Sequence, residues 1–141
     1  MGKWGNEQEI LDLVGGFRDC TLPKDRWTHE AHLTVGIWFH ITYAEFEAIC
    51  YLRSGIIAYN VSIGGKNTPE GGYHETLTLF WSRIIRDFVS VNKHLSLVEL
   101  CNSFLASPLA SKELPLSYYS KDTLFSTRAR AMWVEPNHWL I

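Results

Sequence analysis

Gly72-Tyr-His-Glu-Thr-Leu-Thr-Leu-Phe-Trp-Ser-Arg-Ile-Ile-Arg-Asp-Phe-Val-Ser-Val91 decides the fold class of this chain. Leu77, Phe80 or Trp81, Ile84, Phe88 and Val91 recur at helical spacing, and no segment of the chain sustains the alternation of a strand. The stretch predicts a helix from about Tyr73 to Val91. Extending its apolar stripe back by one turn reaches Tyr73 and His74, which places His74 on the buried edge near the helix start. Glu75 lies about 100° further round, at the side of the stripe.

Upstream, Asn67-Thr-Pro-Glu-Gly-Gly72 has turn-forming residues at nearly every position and reads as the main loop. The helix before it is predicted to open on a capping box, Thr42-Tyr-Ala-Glu45, stapled by Ile41 and Phe46. It runs to about Val61 and stops at Gly64-Gly65. A second helix from about Trp27 to His40 is apolar over much of its circumference, so it is expected at the centre. A first helix spans Asn6 to about Phe17. Downstream, Ser96-Leu-Val-Glu99 is another capping box, stapled by Leu95 and Leu100, and starts a helix to about Ala106. Pro108 and Pro115 break the last third of the chain, 117–120 reads as irregular, and Ser126 caps a short helix through Trp133. The expectation is an all-α bundle of four main helices, with shorter C-terminal helices over one end, forming a single domain across 1–141.

Composition narrows the function. The 141 residues are 46% apolar and 13% aromatic, the profile of a chain with a packed core. Thirteen basic and fifteen acidic residues leave a formal charge of −2, and no Lys/Arg cluster offers a nucleic-acid surface. Cys20, Cys50 and Cys101 are far apart and odd in number, which argues against a disulfide framework and for a reducing cytoplasm. The start lacks the apolar run of a signal peptide, and the stretch from Leu33 to Ala44 is too short to span a bilayer. A soluble, cytoplasmic protein is expected. Six Trp supply a homodimer interface as readily as a core.

Polar residues fall where apolar ones belong. His29, His32, Gly36 and His40 share one line along the second helix, and the first two are close enough to reach a common point. The third helix carries Phe46, Ile49, Ile56 and Asn60 on one stripe with Arg53 among them. An inward arginine needs an anionic or hydrogen-bonding partner, either Glu75 or a substrate anion. Imidazole in an apolar interior likewise needs partners, since an unpartnered polar group costs a few kcal/mol.

Trp27-Thr-His-Glu-Ala-His-Leu33, Tyr59-Asn60, Asn67-Thr-Pro69 and Gly72-Tyr-His-Glu-Thr-Leu-Thr78 resemble an uncharacterised family of small bacterial proteins, as do Tyr118-Tyr-Ser120, Leu124 and Ala129-Arg130 before Trp133. The resemblance covers most of the chain from Trp27 onward and implies a compact helical domain with the histidine motifs as its signature. A weaker similarity is to helical metal proteins of the DinB type, which gather three histidines from bundle helices.

The favoured expectation is a metal-dependent enzyme acting on a small molecule, an anionic one if Arg53 meets it. His29, His32 and His74 would hold a divalent transition metal (Zn, Fe, Ni or Mn) with one position open. Glu75 would serve as general base toward metal-bound water, whose pKa such an ion lowers to about 7. Arg53, Asn60, Tyr73 and Asn67 would bind substrate. Two alternatives stand beside it. One is a metal-free isomerase, lyase or cyclase using His74 and Glu75 as an acid/base pair. The other is a non-catalytic protein that binds a small molecule in an aromatic-rich interior.

Overall fold

A computed structural model describes residues 2–138. Their regular structure is helical: α1 (Glu7–Arg18), α2 (His29–Thr42), α3 (Glu45–Ser62), α4 (Glu75–Ser90), α5 (Leu97–Ala106), α6 (Lys121–Leu124) and α7 (Thr127–Ala131), with 3-10 turns at Lys24–Arg26, Pro108–Ala110 and Leu114–Ser117. No strand occurs among the described residues, and none of their helices is long and apolar enough to cross a membrane. The all-α class, with several main helices and short C-terminal ones, is as the periodicity predicts.

Helix α2 is the central element. Ala31, Leu33, Val35, Ile37 and Phe39 are buried, and α1, α3, α4 and α5 all pack on it. Its contact with α4 is close because Gly36 has no side chain: a Cβ there would lie 2.9 Å from Ile85 Cδ1. Helix α4 is buried on two sides. Ile85 joins the main core built on α1, α2, α3 and α5, while Phe80 packs with Tyr119 and Leu124 under the C-terminal segment. The expected stripe of Leu77, Ile84 and Phe88 is therefore only half-buried, and the fully buried positions are Thr76, Phe80, Ser82 and Ile85.

Caps set the helix starts. Thr28 accepts the Ala31 N–H at 3.1 Å and Ser126 accepts that of Ala129 at 3.1 Å, so each stands outside the helix it opens. The Ser96–Glu99 capping box forms as expected. The Thr42–Glu45 box does not. Thr42 is the last residue of α2, and Ala44 precedes α3 without a side-chain cap. Phe46, expected in the staple and on the inward stripe, is 72% exposed. Because α3 is apolar nearly all round, its sequence leaves the inward face ambiguous. Its orientation is fixed by Ala48, Leu52 and Tyr59, whose hydroxyl donates to the Leu22 carbonyl at 2.7 Å. His40, toward the end of α2, keeps a buried Nε2 with no partner among the described residues, and burial pushes its pKa down to about 4.

Candidate functional site

A cleft of about 950 Å³ opens between α2, α3, α4 and the segment after α5. That volume suits a small organic ligand. His29, His32 and Gly36 line it from α2, Leu52, Ile56 and Asn60 from α3, and Leu77, Trp81 and Ile85 from α4. The sequence line His29–His32–Gly36 thus faces the cleft, while His40 lies beyond it. His74 and Tyr73 border it from the start of α4.

The Gly72–Thr76 segment fastens the fold at nearly every position. Gly72 adopts φ +81° and its carbonyl accepts from Arg130 at 2.9 Å. The Tyr73 hydroxyl donates to Glu75 Oε1 at 2.6 Å. His74 is the N-cap of α4: its Nδ1 accepts the Leu77 N–H at 3.1 Å, and its Nε2–H donates to the Leu124 carbonyl at 2.7 Å. A carbonyl only accepts, so Nε2 carries the proton and the neutral ring has no lone pair to spare. Burial holds its pKa below the ordinary histidine value, partly opposed by the Leu124 bond, and Arg130 adds to the lowering. The Thr76 hydroxyl is fully buried. It lies 2.6 Å from the Ala129 carbonyl and 2.9 Å from that of Met132, and accepts the Val134 N–H at 3.2 Å.

Glu75 is likewise engaged. Its carboxylate takes the Arg53 guanidinium in a two-pronged pair, Nε to Oε1 at 2.8 Å and Nη2 to Oε2 at 2.5 Å, with the Tyr73 hydroxyl on Oε1. The Arg53 bonds hold its pKa below the usual carboxylate range, against the opposing effect of burial. The pair ties α3 to α4, and neither residue lines the cleft. Glu75 is therefore not placed to act as a general base on a cleft ligand, and Arg53 is not placed to receive a substrate anion. Asn67 organises the loop: its Oδ1 accepts from Asn60 Nδ2 at 3.0 Å and from the Tyr73 N–H at 2.9 Å, and its Nδ2 donates to the Ile57 carbonyl at 3.1 Å. Of the expected substrate-binding residues, Asn60 and Tyr73 border the cleft, whereas Asn67 does not line it and instead bonds to both of them.

The histidines of α2 are less committed. His29 Nε2–H donates to the Ala110 carbonyl at 2.9 Å, with the ring edge-on to Trp81. His32 Nδ1–H donates to the Thr28 carbonyl at 2.7 Å, and its ring stacks on Trp27 with centroids 3.8 Å apart. Trp27 is backed in turn by Phe17. In both histidines the remaining ring nitrogen has no hydrogen-bond partner among the described residues. His32 is exposed as a residue, while burial of part of its ring lowers its pKa, opposed by the Thr28 bond and reinforced by His29 and Lys112. His29, His32 and His74 border one cavity, but among the described residues no group of three His, Cys, Asp or Glu side chains is placed to hold a metal ion together. Residues that the sequence did not assign to a site also border it: Lys24, Lys66 and Lys112, and the aromatic side chains Trp27 and Trp81.

No protein-family model matches this chain, and no curated protein or solved structure matches it either.

Proposed function

We propose that the chain binds a small organic molecule in this cleft and that His32 exchanges a proton with it. The observation that carries this reading is the His32 ring: one nitrogen donates to Thr28, and the other has no protein partner among the described residues at the border of a cavity of ligand size. With Nδ1–H held on the Thr28 carbonyl, the neutral imidazole presents a lone pair at Nε2. When Nε2 takes a proton, Nδ1–H stays on the Thr28 carbonyl, which supports the imidazolium. The positive charge of Lys112 opposes that state and favours return of the proton. Trp27 keeps the ring in plane.

The test is a panel of small organic acids, bases and neutral compounds, scored by thermal stabilisation of the wild type, Ile56→Trp and His32→Gln. Ile56 is half-buried on the cleft wall, so tryptophan there takes ligand space without entering the packed core. The expected result is a compound that stabilises the wild type, loses about tenfold or more in affinity in Ile56→Trp, and loses its pH dependence in His32→Gln. If no compound distinguishes the wild type from Ile56→Trp, the reading is wrong.

A second reading is a divalent transition metal held by His29 and His32, favoured by the unpartnered nitrogen on each. For His74 to join them it must release Leu77 or Leu124. Elemental analysis of untagged protein beside the His29→Ala, His32→Ala double variant decides: about one equivalent lost in the variant supports the ion.

A further inference from the structure

The cleft is graded from floor to mouth. Leu33, Leu52 and Ile85 line it as buried residues, at 2%, 6% and 2% exposure, so they form its floor. Lys24, Lys66 and Lys112 line it as exposed residues, so they stand at its mouth. These lysines come from three separate segments: the 3-10 turn before α2, the loop after α3, and the chain between the Pro108–Ala110 and Leu114–Ser117 turns. None is in an ion pair among the described residues. Against them the described residues of the cleft include a single acidic one, Glu113. The mouth therefore carries a positive excess on a chain whose net charge is −2.

That grading selects a ligand class. A neutral apolar molecule would satisfy the floor and leave the lysine field unused. A small, strongly hydrated anion would meet the lysines but gain nothing from aliphatic walls. Nucleotide-like polyanions are better served by arginine forks or backbone N–H cradles than by an aliphatic floor. Ammonium groups on flexible stems suit a single anionic head that stays near water.

We infer that the ligand is an amphipathic organic anion, seated with its apolar body on Leu33, Leu52 and Ile85 and its anionic head among Lys24, Lys66 and Lys112. This rests on the small-molecule reading above and names the substrate class of that same cleft. The head lies on the side of the cleft where Lys112 and His32 influence each other.

Three probes separate body from head: decanoate carries both, decanol the body alone, and acetate the head alone. Binding is measured calorimetrically below the micellar range of decanoate, for the wild type and for the Lys24→Gln, Lys66→Gln, Lys112→Gln triple variant. The three positions are exposed, and an unchanged melting temperature confirms that the variant is folded. The expected result is decanoate binding about tenfold or more tighter than decanol to the wild type, with no measurable acetate binding. In the triple variant decanoate falls to the level of decanol, and raising salt does the same to the wild type. Equal affinity for decanoate and decanol overturns the anion assignment while leaving a small-molecule cleft in place. Decanoate affinity that is unchanged in the triple variant overturns the lysine assignment. If neither amphipath binds while a compound of the wider panel does, the ligand class is wrong and the cleft reading stands; if nothing in either set binds, both fail.

Discussion

Replacing His74 with alanine lowers the stability of the protein by about 2–4 kcal/mol, the sum of a lost N-cap and a buried carbonyl left without its donor. The ring takes the Leu77 N–H at one nitrogen and gives its proton to the Leu124 carbonyl at the other, joining the start of α4 to α6 across a buried contact. His74→Asn restores a short side chain that can cap α4 but does not reach Leu124, so it recovers about 1 kcal/mol of the loss. Urea unfolding of the three proteins measures both numbers. The neutral ring also sets a pH dependence. The folded-state pKa of His74 lies below the ordinary value, so between the two the unfolded chain binds more protons. The His74 contribution is complete above about pH 6.5 and is lost as the pH falls through that value toward the folded-state pKa. The gap between wild type and His74→Ala therefore narrows on acidification. His40, also lowered by burial, gives a slope of the same sign in both proteins and cancels in the difference. A His74→Ala variant that matches the wild type in stability would rule out the capping role.

Gly72→Ala has an effect of similar size by a different route. Gly72 sits at φ +81°, which costs an L-residue about 1–2 kcal/mol, and an added Cβ would lie 2.4 Å from the Lys66 carbonyl oxygen and 2.9 Å from Asn67 Cα. Both are backbone atoms, so the loop itself must move. The expected total is about 2–4 kcal/mol. Gly64→Ala is the internal control: its φ is +87° but a Cβ there meets nothing within 4 Å, so only the conformational cost of about 1–2 kcal/mol remains. Moving the Gly72 loop also displaces a wall of the cleft, and ligand affinity falls with stability in Gly72→Ala. Equal destabilisation by the two substitutions would mean that the loop yields freely around Gly72.

The helical class and the central place of α2 were legible because apolar spacing and near-complete hydrophobicity are local properties of the chain. The inward face of α3 was not. With apolar residues on nearly all sides, its orientation depends on Tyr59 reaching Leu22 and on Gly55 lying against Phe17, contacts made between distant segments. The histidine motifs do come together in the fold, since His29, His32 and His74 all border one cleft. What spacing did not convey was how each ring is used. A histidine that caps a helix and a histidine that waits for a ligand look alike in sequence, and only the partners Leu77 and Leu124 set His74 apart from His32. Arg53 announced an anionic partner by lying among apolar residues of α3, and Glu75 takes it in full. The lysines of the mouth left no mark at all. They are scattered through the chain at positions 24, 66 and 112, and a search for basic clusters along the sequence does not find residues that folding brings to the border of one cleft.

In the proposed function the two histidine motifs divide their labour: His74 fastens α4, and His32 would face the ligand. Each role requires a different tautomer, so long-range proton–nitrogen correlation spectra of the histidine rings at pH 7 distinguish them without any substitution. The prediction is a neutral His74 with its proton on Nε2 and a neutral His32 with its proton on Nδ1 and a free Nε2. Adding a cleft ligand then shifts the His32 nitrogens and leaves those of His74 in place. The division fails if His74 carries its proton on Nδ1, or if His74 rather than His32 responds to the ligand.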